Sequence, residues 1–218
     1  MIRSLTTAAL VCSAATLLAQ GSERPFDAEN LDAWDFVASK EGFAKDDVWS
    51  IEDGVVRTTG KPSGYIKTKK SYQDYKLDIE WRWPPGTEGG NNGVLVHATD
   101  PNALGVWPQS LEVQLFKNNA GDFWVIGTEI DVPAEGVPGY EKRIQGRRHL
   151  NFTDGSEKPL GEWNKMTIIC RDETVTVFVN GDLVNYGFDS SVDEGSICLQ
   201  SEGAACAYRN LVITPLED

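Results

Sequence analysis

Beyond its first 19 residues this sequence has no long apolar run, so it offers no segment of about 18 residues that could cross a membrane as a helix. Helical periodicity is almost absent as well, which argues against a helical bundle. Positive charge is scarce: 20 Lys and Arg stand against 33 Asp and Glu, for a formal charge of −13. A chain this acidic is a poor partner for nucleic acid. Histidine occurs only twice, and no CxxC pair or Cys/His cluster points to a metal site. Internal repeats, low-complexity tracts and an evident linker are missing too, so the 218 residues read as one domain behind a leader.

The leader is residues 1–19. Arg3, an apolar stretch LTTAALVCSAATLLA and the small Ala19 before Gln20 have the pattern of a secretory signal peptide. A lipoprotein reading through Cys12 fits less well, because only eight residues separate Arg3 from that cysteine and apolar residues continue past it. The expectation is a secreted or periplasmic protein with a single domain over 20–218. Removing the leader leaves 19 Lys and Arg against 33 acids, a formal −14. It also leaves Cys170, Cys198 and Cys206, an odd number. Either Cys198 and Cys206 bridge across SEGAA, or all three are reduced and buried as small apolar residues.

What is present is a series of short β-branched and aromatic runs separated by Gly, Asn, Asp and Pro. Strands are expected at Val48–Ile51, Val55–Thr58, Tyr65–Thr68, Tyr75–Trp83, Gly93–His97, Leu111–Phe116, Phe123–Ile126, Lys165–Arg171, Thr174–Val179, Ser196–Gln200 and Ala207–Ile213. That many short strands call for two packed sheets. Asp53-Gly54, Asp172-Glu173 and Asn180-Gly181 supply hairpin turns. Residues 131–161 lack a period, read as a long surface excursion, and gather Arg143, Arg147, Arg148 and His149.

Several strands place apolar residues on one face and chemically varied polar residues on the other. Alternation puts Glu80 and Arg82 opposite Leu77, Ile79 and Trp81, and His97 opposite Val94 and Val96. Glu112 and Gln114 stand opposite Leu111, Val113 and Leu115, and Gln200 opposite Ile197 and Leu199. A one-sided antiparallel sheet shows polar residues to water in any case. The mixture of carboxylate, amide, guanidinium and one of two histidines nevertheless suits hydrogen bonding to a sugar. Trp107, Phe116 or Trp124 could stack on a pyranose face.

The segments NNGVLVHA, WPQSLEVQLF, GDFWVIG, PLGEWNKMTIICRDETVTVFVNGDLV and GSICLQSEG with YRNLVI occur in that order. From about Phe26 to Ile213 the chain resembles the bacterial 3-keto-disaccharide hydrolase domain family. The resemblance implies a concanavalin A-like jelly roll of two curved antiparallel sheets, with sugar chemistry on the concave side. Ordinary retaining glucanases of that fold carry an active strand like E-x-D-x-x-E, whereas here the stretch is Glu112-Val113-Gln114-Leu115-Phe116-Lys117. The carboxylate pair at about 5–5.5 Å that double displacement needs is not supplied by this strand.

A ketone at C3 of a sugar acidifies the C2 hydrogen and makes the C1 substituent a leaving group for elimination. One base, one acid and a donor for the enolate oxygen then suffice, and water adds afterwards. The resemblance thus implies a glycoside-cleaving hydrolase acting on 3-keto-glycosides or related modified sugars. The expected catalytic residues are Glu112, His97 and Glu80, with Glu112 or Glu80 as the base. Arg82 is expected to clamp the enolate or a hydroxyl, and Gln114, Gln200, Trp107 and Trp124 to bind the sugar. No cofactor is required, though a divalent cation could replace Arg82. A non-catalytic, lectin-like binding domain using the same face is the alternative.

Overall fold

The computed structural model describes residues 21–133 and 143–217; the leader expected at 1–19 lies outside them. In chain order the described residues form β1 (Trp34–Ala38), a single-turn helix α1 (Lys45–Val48), β2 (Trp49–Glu52), β3 (Val55–Thr58), β4 (Gly64–Thr68), β5 (Tyr75–Arg82), β6 (Gly93–Ala98) and β7 (Ser110–Gln114). They continue with β8 (Phe123–Ile126), β9 (Ile144–Gln145), β10 (Arg148–His149), β11 (Asn164–Arg171), β12 (Thr174–Val179), β13 (Asp182–Gly187), β14 (Ser196–Ser201) and β15 (Cys206–Pro215).

The strands make two antiparallel sheets. One runs β1-β4-β14-β6-β7-β8-β10-β9 and the other β13-β12-β11-β5-β15-β3-β2. Sequence neighbours often sit far apart in these orders: β14 inserts between β4 and β6, and β15 between β5 and β3. Such crossings between two sheets are the mark of a jelly roll, and the all-β sandwich expected from the sequence is the fold observed.

All eleven expected strands occur, with ends displaced by no more than two residues. β5 shows why: Tyr75, Leu77, Ile79 and Trp81 are buried while Lys76, Asp78, Glu80 and Arg82 are half-buried on the other face. Its inward set packs with Ile168 and Val177 of the same sheet against Val94, Leu111, Val113 and Leu199 of the opposite one. Burying each such side chain contributes about 1.5–3 kcal/mol. The Asn180-Gly181 turn has φ of 51° and 98°, both in the left-handed region that a type I′ hairpin requires. Asn180 also ties its turn to the β11 start, accepting from the Lys165 N–H at 2.9 Å and donating to Asn164 Oδ1 at 2.8 Å.

The cysteine alternatives are resolved. Cys198 lies on β14 in one sheet and Cys206 on β15 in the other, and Cys170, Cys198 and Cys206 are all free and buried. Burial pushes the Cys170 and Cys206 thiols up to about 12 and keeps them protonated. The bridge across SEGAA is therefore not formed.

Candidate active site

The outward face of the eight-stranded sheet carries two adjacent cross-strand rows. One row runs Cys198, Leu95, Glu112, Trp124 and Arg148, each paired with the next across β14, β6, β7, β8 and β10. In the second, Gly93 pairs with Gln114. Beside Gly93 lies the Gln200 side chain: a Cβ on this glycine would stand 2.6 Å from Gln200 Oε1 and 2.8 Å from Glu112 Oε1. The missing Cβ is what allows the amide and the carboxyl to share that space.

Above these rows opens a cleft of about 120 Å³ lined by Asn91, Leu104, Trp107, Glu112, Gln114, Trp124, Ile126, Arg147 and Glu202. Glu112 forms part of its floor and is only 6% exposed. Burial, reinforced by the nearby Glu202 carboxylate, pushes its pKa up to about 8; Gln200 and Arg147 pull it back. Burial raises Glu202 as well. At neutral pH the Glu112 carboxyl is thus mostly protonated, an acid facing a second carboxyl and a guanidinium.

Other groups in the cleft lack partners. Trp124 Nε1 and Asn91 Oδ1 are buried without a hydrogen bond among the described residues. Gln114 Oε1 accepts the N–H groups of Leu115 and Phe116 at 3.0 and 3.1 Å, so its Nε2 is the end left for a ligand. The Arg147 guanidinium lies 5.4 Å from the Trp124 ring centre, carried there by the turn between β9 and β10. Buried polar groups are normally paired, and two unpartnered atoms beside a carboxyl, an amide and a guanidinium suit this cleft to a polar ligand.

Glu202 is held by the segment that precedes β6. Asn92 Oδ1 accepts the Glu202 N–H at 2.9 Å and Asn92 Nδ2 donates to the Ala204 carbonyl at 2.8 Å. A Cβ on Gly90 would stand 2.4 Å from the Ala204 methyl, so the glycine permits this close approach. The run GGNNG thus positions one carboxyl through Asn92 and makes room for the other through Gly93.

Of the residues expected at the site, Glu112, Gln114, Trp107 and Trp124 line the cleft. Trp107 packs its ring against Tyr65 at 6.3 Å. The others need correction. Glu80 and Arg82 lie on β5, in the opposite sheet. There Glu80 accepts from Arg209 Nε at 2.7 Å and Asn210 Nδ2 at 2.9 Å, and Arg82 stacks 4.5 Å from the Trp163 ring. The polar face of β5 therefore does not join those of β7 and β14 on one sheet.

His97 is fully buried on the core side, its ring 5.9 Å from that of Tyr75 and its Nδ1 3.0 Å from the Val192 carbonyl. A β-bulge causes this: Ser196 pairs with Ala98 but Cys198 with Leu95, so two residues of β6 face one of β14. His97 takes φ of 53° and turns inward. Gln200 is completely buried and is not among the residues that line the cleft; its side chain lies beside that of Glu112, over Gly93.

The sequence reading missed Glu202, Asn91 and the particular role of Arg147. Glu202 had a readable signal, since Cys198, Gln200 and Glu202 continue one period-two face. Arg147 had only its place in a basic cluster. Its neighbours are otherwise engaged: Arg148 bonds Asp122 at 2.7 Å, and Arg143 donates to the Leu150 carbonyl at 2.9 Å. Among the described residues no group of three or more His, Cys, Asp or Glu side chains could hold a metal ion, and no helix is long and apolar enough to cross a membrane.

The structure is similar to that of a provisionally assigned glycosyl hydrolase of Parabacteroides distasonis, at 21% identity and a TM-score of 0.64, covering 90% of this chain and 100% of that one. A carbohydrate binding module from Bacillus subtilis matches at 10% identity and a TM-score of 0.58, covering 82% and 93%. A Bacillus subtilis protein of unknown function with a galectin-like fold matches at 11% and 0.56, covering 89% and 94%. At such identities the likeness establishes the shared fold. Comparison with curated proteins gave no match. The sequence itself matches a family over residues 21–214, from the first described residue through β15, and the chain therefore belongs to the 3-keto-alpha-glucoside-1,2-lyase-like domain family.

Proposed function

We propose that this carbohydrate-active cleft cleaves 3-keto-glycosides by elimination followed by hydration. The observation that carries the reading is Glu112, a carboxyl whose burial beside Glu202 lifts its pKa to about 8 and keeps it protonated at neutral pH. Such a group is suited to protonating a departing glycosidic oxygen. The Glu202 carboxylate takes the C2 proton, and the electrons of that C–H bond form an enolate on the C3 oxygen. Arg147 and the unpartnered Trp124 Nε1–H are the donors available to that oxygen. The enolate collapses to C3=O and C1=C2 as the C1–O bond breaks, and Glu112 delivers its proton to the leaving oxygen. Water then adds at C1, losing a proton to Glu112, while Glu202 returns one to C2. Arg147 replaces Arg82 and Glu202 replaces Glu80 in the roles expected from sequence.

A 3-keto-disaccharide and its unoxidised parent distinguish this reading from simple binding. Free sugar should appear from the keto form alone, and Glu112→Gln and Glu202→Gln should each lower kcat on the order of 10²-fold or more. In deuterated water, exchange at C2 should persist in Glu112→Gln and disappear in Glu202→Gln. Saturable binding of both sugars with no turnover would instead assign the cleft to a lectin-like function.

A further inference from the structure

Gln200 has a setting unlike that of the other buried amides near the sandwich core. Asn92 has both ends engaged, Oδ1 with the Glu202 N–H and Nδ2 with the Ala204 carbonyl. Asn185 is likewise fixed, its Nδ2 donating to the Gly121 carbonyl at 2.8 Å and its Oδ1 accepting the Tyr186 N–H at 3.0 Å. Gln200 is as deeply buried, at 0% exposure, yet neither Nε2 nor Oε1 has a well-directed partner among the described residues. Leaving both ends of a buried amide unmatched is costly, and a position that tolerates it is rarely only structural.

What lies next to Gln200 is the Glu112 carboxyl. Both side chains reach over the Cα of Gly93, with Oε1 of each within 3 Å of the point a Cβ would occupy. No other group among the described residues holds either end of the amide, and its proximity to Glu112 already favours the carboxylate, so either the carbonyl or the NH2 can serve the carboxyl. A carboxylic acid needs an acceptor; a carboxylate needs a donor. A glutamine supplies either by rotating its terminal amide.

We infer that Gln200 is a positioning residue that follows the protonation of Glu112, accepting a hydrogen bond from the acid through Oε1 and, after an amide rotation, donating from Nε2 to the carboxylate. No proton is transferred to or from Gln200; the exchange is of hydrogen-bond partners only. The charged groups that also act on Glu112 are Glu202, which lines the same cleft and opposes ionisation, and Arg147, which favours it. Gln200 acts in the same sense as Arg147. This role rests on the reading of Glu112 as the group that gives up a proton during turnover.

The test is Gln200→Met, which keeps length and removes both polar ends, with Gly93→Ala as a second variant that pushes the two side chains apart while retaining each. The first readout needs no substrate: the titration of Glu112 in the free protein, followed by carbon-13 NMR of labelled glutamate carboxyls and assigned with Glu112→Gln. In either variant it should move to higher pH by about one unit. The second is the pH profile of kcat on a 3-keto-disaccharide, whose high-pH limb should move upward with it while kcat falls several-fold and KM stays within about twofold. An unchanged Glu112 titration in a folded variant overturns the inference. A shifted titration in a protein that does not turn over the keto sugar supports the pairing and defeats only the reaction assigned to it.

Discussion

Glu112 is the residue on which the proposed chemistry and the stability of the fold pull in opposite directions. A carboxyl in water has a value near 4.5, and in the folded chain this one is raised to about 8. Between those two values the folded state keeps a proton that the unfolded state releases, so stability declines as pH rises from about 4.5 to about 8 and the full penalty applies above. Glu112→Gln removes the titration and should leave a protein more stable than its parent at pH 9 by on the order of 5 kcal/mol, with the two alike near pH 4. Thermal melts of both across that range check it; parallel curves would show that Glu112 ionises normally. Glu112 was legible in the sequence, because a carboxyl within the apolar alternation of β7 has to be placed on one face or the other. Its raised pKa was not, because it depends on burial and on Glu202, Gln200 and Arg147, which come from two other parts of the chain.

At the level of single strands, periodicity is reliable only while the pairing stays regular. β5 and β12 alternate as their sequences require, and the inward and outward residues fall where expected. β6 does not. Gly195 passes so close to the strand that a Cβ there would stand 2.4 Å from the His97 carbonyl carbon, and the bulge opposite Ile197 turns His97 into the core. Nothing in GVLVHA announces that switch; it is imposed by β14, a hundred residues later in the chain. The same limit explains β1 and β13, absent from the sequence reading. β1 borders the sheet and buries only its first residue fully, and β13 borders the other and carries its own irregular register, so neither shows clean alternation. His97 should accordingly matter to folding and not to turnover. His97→Asn keeps a side chain that tolerates positive φ but loses the ring contact with Tyr75, and should cost about 1–3 kcal/mol in denaturant titrations. Its kcat should remain within about twofold of the parent and its pH profile unchanged; a tenfold loss of kcat in the folded variant would return His97 to the catalytic set.

Across the whole molecule the two sheets divide the work. The outward face of the eight-stranded sheet leaves Trp124 Nε1 and Asn91 Oδ1 unpartnered in a cleft, whereas on that of the seven-stranded sheet Asp78 and Glu80 are each held by neighbouring side chains. Thr167 Oγ1 donates to Asp78 at 2.6 Å, Lys76 and Lys165 each lie 3.0 Å from the same carboxylate, and Arg209 and Asn210 hold Glu80. Arg209 and Arg82 both flank Trp163, at 4.1 and 4.5 Å from its ring. These two faces should respond to pH with opposite sign. Hydrogen bonds and cations hold Asp78 and Glu80 below their ordinary values despite the opposing effect of burial. The stability they contribute is present above the unfolded carboxylate range and is lost as pH falls through their folded values. Acid therefore loosens the seven-stranded sheet while alkali loads the cleft, and the parent should be most stable at mildly acid pH. Glu80→Gln separates the two. It should lower the melting temperature at pH 7, converge with the parent as pH falls through the lowered folded value of Glu80, and leave turnover of a 3-keto-disaccharide within about twofold, because no atom of this network reaches the cleft. A loss of turnover comparable to that of Glu112→Gln, in a variant that still melts cooperatively, would mean that the reacting sugar sits on the opposite sheet and that the cleft around Glu112 has been misassigned.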